Sequence, residues 1–333
     1  MASSSTNEIQ QKLKSLFILQ QAIRDFFLRL GFDDVITPPM VRCPGIETHL
    51  SPFKVQSSLE NQSDWFLHTS PEFHMKELLS LGMEKIFTLT YAFRDEPTST
   101  HHRPQFLMLE WYRAHERYEA IMQDVEQLLN YAQEALIRKS ISTVKSDSIK
   151  LTHKSVQEIF IEFTQIDPLE FEENSKDLFV KKIKEKNIDI PIPQDLSVVS
   201  YDDIFHLVFL NIIEPNLAKY PYLLLYEYPA SQAALSSLKV NNPKVCERFE
   251  VYLNGIELCN AFNELTEKKE QLARFVKAKK EREDIYGKSM PFPAVLMNSL
   301  ERGLPDPCSG VALGVERLLM GLTGIRDPFW PNI

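Results

Sequence analysis

A chain of 333 residues, 44% of them hydrophobic and 25% charged, has the composition of a globular enzyme that buries one large core or two modest ones. A formal net charge of −9 argues against a protein whose main task is gripping a nucleic-acid backbone, which needs clustered Lys and Arg. Cys43, Cys246, Cys259 and Cys308 make no CxxC pair, so neither a zinc site nor a disulfide framework is indicated. With no apolar leader or membrane-length apolar run, the expectation is a cytoplasmic protein with reduced thiols.

Residues 8–30 set Leu13, Leu16, Phe17, Leu19, Ile23, Phe26, Phe27 and Leu30 at helical spacing, and Gly31 suits the end of that helix. DDVITPPM then reads as a strand stopped by Pro38 and Pro39. A short strand over 65–69 precedes a helix opened by Ser70-Pro71-Glu72, with Ser as N-cap and Pro as first helical residue, running to about Ser80. Strands over 86–94 and 106–113 flank a polar loop, 95–105, and an amphipathic helix covers 117–139. Residues 166–200, rich in Lys, Glu, Asp and Pro, read as a solvated peripheral helix and linker. Strand signals return at 222–228. RFEVYLNGIELCNAF is then a hairpin about Asn254-Gly255, a type I′ turn signature. A helix over 266–283 follows, and GVALGVERLLMGL reads as strand into helix. Connections of very different lengths predict a mostly antiparallel sheet flanked by helices, an α+β fold. The expected organisation is a single domain over 1–333 with a variable segment near 166–200.

Chemistry concentrates in two places. In the hairpin, a two-residue turn pairs Leu253 with Ile256 and Tyr252 with Glu257, which puts Glu250, Tyr252 and Glu257 on one face. Two carboxylates there either hold a cation such as magnesium or simply face solvent. The same pleat sends Asn260 and Glu264 to the other face unless a bulge near Cys259–Ala261 re-aims them. In FRDEPTSTHHRPQFLMLEWY (93–112), Arg94 and Glu96 share strand parity and either face one site or form a surface ion pair. Taken singly, His102 and Arg103 read as exposed polar loop residues, Phe106 as core and Arg317 as a solvent-facing helical Arg.

The order of these segments resembles the class II aminoacyl-tRNA synthetases. Arg24–Pro38, Phe93–Tyr112 and Gly310–Leu319 are similar to their motifs 1, 2 and 3. TSPEFHMK (69–76), FRDE (93–96), MLEWY (108–112) and GIELCNAFNEL (255–265) resemble the lysyl branch. PASQAAL (229–235), IEPNL (213–217), ERFEVYLNGIELCNAFNEL (247–265) and CSGVALGVERL (308–318) resemble its stand-alone paralogues, the elongation factor P (R)-β-lysine ligase family. The resemblance runs from about residue 12 to 323.

The resemblance implies a class II catalytic domain without an anticodon-binding domain, dimerising through a motif 1 in which Pro38 matches the interface proline. It implies an ATP-dependent ligase that activates (R)-β-lysine or lysine as an adenylate and transfers it to a lysine of elongation factor P. For ATP, Phe106 and Arg317 would sandwich the adenine, Glu96 would accept from its amino group, and His102 would meet the outer phosphates. Arg94 would meet both the α-phosphate and the substrate carboxylate, and Asp95, Arg103, Leu258 and Gly314 would complete the nucleotide site. Glu250 and Glu257 match the magnesium-binding acids. Ser70, Pro71 and Glu72 would receive the backbone-type amine, Glu264 and Tyr112 the side-chain ammonium, and Asn260 would orient the substrate. Ala312 stands where lysyl-tRNA synthetases have Gly, which would favour β-lysine over α-lysine. A homodimer in the cytoplasm is expected, with no membrane and no tRNA partner.

The chain departs from the family at Asp95 (for Asn), Arg103 (for Asn), Gln105 (for Glu), Glu316 (for Asp) and in the tail GIRDPFWPNI. Two other readings stand beside the ligase: a truncated lysyl-tRNA synthetase, and a non-catalytic synthetase-like binding protein, which the altered motif 2 loop motivates.

Overall fold

A computed structural model describes residues 6–59, 64–99, 102–141 and 147–330. The chain forms two compact units, one from Met1–Ile149 with Asn263–Ile333 and one from Lys150–Phe262. Each is an α+β assembly, as the strand spacing predicts.

In the first unit the strands Lys85–Phe93 and Gln105–Ala114 pair antiparallel, from Lys85 opposite Arg113 to Phe93 opposite Gln105. Cys308–Gly314 runs antiparallel along the other edge of Gln105–Ala114, and Asp33–Asp34 adds in parallel beside Ile86 and Phe87. Strand alternation decides what each face does. Trp111 turns to the helix layer, where its ring centroid lies 5.0 Å from that of Phe27 on the long helix Thr6–Arg29. Arg113 turns the same way and grips the buried carboxylate of Asp124, on helix Tyr118–Arg138, through Nε at 2.7 Å and Nη2 at 2.8 Å. Such a doubly bonded buried pair fixes helix to sheet. Phe106, Glu110 and Tyr112 are left for the opposite face, which carries the candidate site.

Two predicted elements of this unit differ. DDVITPPM supplies only Asp33–Asp34 and, further on, Met40–Val41. The last sheet bond is Val35 N–H to Phe87 O at 2.9 Å, and the prolines that follow cannot donate. Ile36 is left 95% exposed in this motif 1 segment. The helix after Ser70 begins at Glu72, not at Pro71. Pro71 is its N-cap with no side-chain capping bond, so Ser70 does not cap it.

The second unit is built on the hairpin Arg248–Leu253 and Ile256–Asn263. Asn254 and Gly255 both have positive φ, 52° and 80°, as the type I′ turn demands. Leu253 pairs with Ile256 and Tyr252 with Glu257, as expected from the turn. Val251 then pairs with Cys259, so Leu258 is an extra residue. The bulge lies one position earlier than Cys259–Ala261, immediately after the acid it re-phases. It puts Asn260 opposite Glu250 and on the same face as Glu257, although those two are three residues apart. Tyr222–Tyr226 continues the sheet antiparallel and Thr152–Ser155 pairs with it in parallel.

Segment 166–200 is not a solvated linker. Ile166, Phe179, Val180 and Ile183 are buried in the core of this unit with Phe160, Phe205 and Leu223. Helix Lys176–Glu185 turns one apolar stripe inward while its Lys and Glu face water, and that outer face dominates the composition. Ser155 and Ser200 each close a capping box, with Glu158 and Asp203, at the starts of helices Val156–Thr164 and Tyr201–Val208. Among the described residues, no helix is long and apolar enough to cross a membrane.

Candidate active site

In the first unit, four acids and one lysine gather on the free face of the Gln105–Ala114 strand. Helix Glu72–Ser80 brings Glu72 and, one turn on, Lys76, which is 1% exposed. Lys76 Nζ donates to Glu72 Oε1 at 2.7 Å and lies 2.6 Å from Glu264 Oε2, an ion pair with the residue that follows the hairpin. Burial pushes the Lys76 ammonium towards neutrality, but Glu264 and Glu72 outweigh it and raise its pKa. Burial raises the Glu264 carboxyl to about 7, opposed by Lys76 and reinforced by Glu72.

Tyr112 donates its hydroxyl to Glu110 Oε2 at 3.0 Å. Glu110 is raised well above the usual carboxylate range by burial and by the charge of Glu72 and Glu264, and Oε1 has no hydrogen-bond partner among the described residues. Gly310 pairs with Tyr112 across the sheet. A Cβ there would come within 2.2 Å of the Tyr112 ring and 2.7 Å of Glu264 Oε1, so only glycine lets the two close over it. Ala312 pairs with Glu110 in the same register. Glu47 is the fourth acid. Its Oε2 is sealed from solvent without a hydrogen bond among the described residues, burial and Glu72 raise its pKa, and Arg94 opposes the rise.

Glu47 thus links the acid cluster to the arginine side of the site. The Arg94 guanidinium lies 5.2 Å over the Phe106 ring, with Nε buried and without a hydrogen-bond partner among the described residues. An orphaned guanidinium nitrogen beside an aromatic face is a fitting place for an anionic, planar ligand. Arg94 N–H donates to Pro104 O at 2.8 Å and Asp95 N–H to Ser51 O at 2.7 Å, which fix the start of the loop; Asp95 itself is exposed and Glu96 half-buried. Residues 100 and 101 of this loop, and 331–333 of the tail, lie outside the described residues.

The rest of the loop closes on itself. His102 N–H donates to Ser99 Oγ at 3.1 Å, and Arg103 Nη1 donates to His102 O at 3.0 Å. His102 Nε2 accepts from Arg317 Nη2 at 2.9 Å, which assigns the ring proton to Nδ1, beside Ser99 Oγ. Arg317 lies in the first turn of helix Val315–Thr323, after Gly314. Its neighbour Glu316 turns inward and accepts from Leu107 N–H with both oxygens at 3.0 Å. Burial raises that carboxyl to about 7.

In the second unit Glu250, Glu257, Leu258 and Asn260 share the hairpin. Glu250 is fully engaged: Oε1 accepts from Arg248 Nη2 at 2.6 Å, and Oε2 from the hydroxyls of Tyr228 at 2.5 Å and Tyr252 at 2.6 Å. Arg248 also donates from Nε to Asn260 Oδ1 at 3.0 Å and lies 4.5 Å over the Tyr228 ring. Glu257 is half-buried opposite Tyr252, and Leu258 is buried. Among the described residues no three His, Cys, Asp or Glu side chains gather to hold a metal. A carboxylate already accepting three donors does not suit direct magnesium coordination.

The structure therefore brings together Glu72, Tyr112, Glu264 and Ala312, and separately Arg94 with Phe106 and His102 with Arg317. Glu47, Lys76, Glu110 and Arg248 were not predicted. Glycine supplied a usable signal for one of them: Gly45, whose Cβ would meet Glu47 Oε2 at 2.5 Å. Lys76 reads as an ordinary surface helical lysine, and nothing local marks it.

The chain matches the family model of the tRNA synthetases class II (D, K and N) over residues 1–327. The elongation factor P–(R)-β-lysine ligase of Salmonella typhi is 36% identical over 322 residues, 96% of this chain and 93% of that protein. Its namesake from Yersinia enterocolitica is 37% identical over 315 residues, 94% of this chain and 90% of that protein.

Proposed function

Because the chain belongs to the class II tRNA synthetases of the D, K and N group, we propose that it is the ligase of its similar relatives: it activates (R)-β-lysine with ATP as an aminoacyl-adenylate and transfers it to a lysine side chain of elongation factor P. The observation that carries this reading is the buried acid cluster. A site with Glu72, Glu110 and Glu264 around one lysine keeps surplus negative potential for a substrate bearing two ammonium groups, and it would leave carboxylates unpaired against an uncharged analogue.

The first step needs no general base, because the substrate carboxylate is ionised at neutral pH. Its oxygen attacks the α-phosphorus in line, an O–P bond forms, and pyrophosphate leaves with the electron pair of the bond broken. Arg94 is assigned to both reacting partners, as its unpaired Nε beside the Phe106 face supports. Phe106 and Arg317 are assigned to the adenine, Glu96 to its amino group, and His102, Asp95, Arg103, Leu258 and Gly314 to the rest of the nucleotide. In the second step the ε-amine of the acceptor lysine attacks the mixed anhydride, AMP leaves, and an amide forms. That amine must shed a proton first, since a free lysine has a pKa of about 10.4.

Among substrate groups, Glu72 with Ser70 and Pro71 is assigned to one amine and Glu264 with Tyr112 to the other. Asn260 is assigned to orientation, and the Ala312 methyl to the preference for a β-amine. ATP brings a divalent ion as a rule. Glu257 is the acid assigned to it, with Glu250 holding Arg248 and the two tyrosines. A cytoplasmic homodimer fits the exposed apolar side chains of Phe17, Leu28, Ile36 and Met40 near the motif 1 segment.

Pyrophosphate exchange with (R)-β-lysine and with α-lysine, followed by intact mass of elongation factor P, tests the reading. Faster exchange with β-lysine and a mass gain on the acceptor are expected. Exchange with α-lysine alone together with charging of lysine tRNA would move the chain to the tRNA-charging enzymes. Turnover that survives Arg94→Ala would remove Arg94 from the chemistry, and no turnover in the wild type would leave a binding protein.

A further inference from the structure

Lys76 is the least expected member of the acid cluster. It is an ammonium 1% exposed, supplied by the protein to a site that the proposed function fills with ammonium groups from the substrate. Its contacts are selective by atom. It takes Oε1 of Glu72 at 2.7 Å and Oε2 of Glu264 at 2.6 Å, one oxygen from each carboxylate. The other oxygen of Glu264, Oε1, points to the space above Gly310 beside the Tyr112 ring, the space a Cβ at Gly310 would fill. A carboxylate has two oxygens and about four lone-pair directions, so one oxygen can be held by a resident donor while the other stays open.

We propose that Lys76 is a positioning residue for the amino-acid substrate: by bridging Glu72 and Glu264 it holds one oxygen of each and aims the other at the two amines of a diamine ligand. The inference rests on the functional reading above for the identity of that ligand, but not for the bridge itself. The bridge also sets the charge of the cluster. Two buried carboxylates this close cannot both stay ionised without a cation between them. Around the pair stand Lys76 itself, Glu110 and Tyr112 on the neighbouring strand, Cys308 at the start of the next, and Glu47 with Arg94 behind it. Lys76 is the one cation in that set that touches both acids.

A purely structural lysine would fill space and no more. Lys76→Met keeps the length of the side chain and removes the charge. The expected result is a KM for lysine or β-lysine at pH 7 raised by about tenfold or more, with the KM for ATP within about twofold. The acid limb of the pH profile of the amino-acid KM should move up by about one pH unit, because the unbridged acids keep a shared proton. If the KM for the amino acid changes without any movement of the pH midpoint, the positioning role is wrong.

Lys76→Arg covers the case in which the methionine variant does not fold. It keeps the charge but presents a fork that pairs with one carboxylate rather than bridging two. The midpoint should stay while the amino-acid KM rises by about threefold or more. An unchanged KM overturns the proposal. A readout free of substrate separates this from the functional reading. With side-chain carboxyl-labelled glutamate, the resonances lost in Glu72→Gln and Glu264→Gln identify the pair by NMR. The Glu264 carboxyl, which Lys76 holds down, should titrate higher in Lys76→Met even if no diamine supports pyrophosphate exchange, and no shift would sink the bridge on its own terms.

Discussion

Arg103 and Asp327 are joined across the first unit: Arg103 Nη2 lies 2.7 Å from Asp327 Oδ1, and its guanidinium sits 4.8 Å over the ring of Phe329. These are two of the places where the chain leaves the pattern of its family, the motif 2 loop and the tail, and they are physically one feature. The asparagine usual at position 103 could not reach as far or cover an aromatic ring. The exposed ion pair alone is worth about 0.2–1 kcal/mol. Its effect should therefore be local, on the loop that also carries His102. Asp327→Ala is expected to leave the melting temperature nearly unchanged and to raise the KM for ATP by about threefold, on the order of 0.6 kcal/mol. Pyrophosphate exchange at varied ATP checks it, and an unchanged ATP KM would show that the tail does not support the loop.

Glycine 310 and glycine 314 lie on the same strand and should respond oppositely to alanine. At Gly310 the new methyl would meet the Tyr112 ring at 2.2 Å, with no flexible side chain to give way. Overpacking of this kind costs about 1–3 kcal/mol, and here it also parts Tyr112 from Glu264. At Gly314 the nearest atoms are the aliphatic carbons of Arg317 at 3.6–3.7 Å, ordinary contacts. Gly310→Ala should lose most amino-acid-dependent exchange, and Gly314→Ala should leave the melting temperature nearly unchanged. Thermal unfolding of both variants separates misfolding from loss of the site.

Glu316 predicts a pH dependence of stability. Its carboxyl has a reference value of 4.5 and is raised by burial to about 7 in the fold. Between those values the native state keeps a proton that the unfolded state has lost, so stability falls as pH rises through this window. Glu316→Gln retains one oxygen for Leu107 N–H and removes the penalty. It should stabilise the protein at pH 8 by up to about 3 kcal/mol and have little effect at about pH 3, where the wild-type group is protonated in both states. Denaturant unfolding at the two pH values decides. Equal effects at both would place the burial cost elsewhere.

Amino-acid binding should release protons. Glu110 and Glu264 are both raised by burial and by neighbouring acids, so near neutral pH the empty cluster retains protons that arriving ammonium groups displace. Calorimetric titration with lysine at pH 7, in two buffers of different ionisation enthalpy, should show release on the order of 0.5–1 proton per site. Glu110→Gln should lower that number. Heats independent of buffer would mean that the acids are already ionised in the empty protein.

Much of this architecture is legible in the residues. The Asn254-Gly255 turn fixes hairpin register through local φ preferences alone, and the helices Thr6–Arg29 and Tyr118–Arg138 follow from their apolar period. What escapes depends on distant partners. Lys76 and Glu110 look like surface charges because their counterparts lie far along the chain, and only the fold shows them buried. A bulge near Cys259–Ala261 is anticipated by the need to re-aim Asn260 and Glu264, but its place at Leu258 escapes because an extra residue leaves no mark on a uniformly β-rich run. Segment 166–200 misleads for a related reason: its polar face outnumbers the few apolar residues that anchor it, Phe179, Val180 and Ile183.

The division of the chain into units has a consequence for how the protein is made. Glu47, Glu72, Lys76 and Glu110 leave the ribosome before the contiguous unit Lys150–Phe262, but Glu264 and Gly310 belong to the same unit as they do and follow only after that unit has been synthesised. At about 5–20 residues per second, Glu264 trails Glu110 by roughly 10–30 s. During that interval Lys76 has no Glu264 to pair with, and the strand Gln105–Ala114 lacks its Cys308–Gly314 neighbour. The inserted unit can complete its own core first, so the acid cluster closes only after Glu264 and the strand Cys308–Gly314 have followed it out.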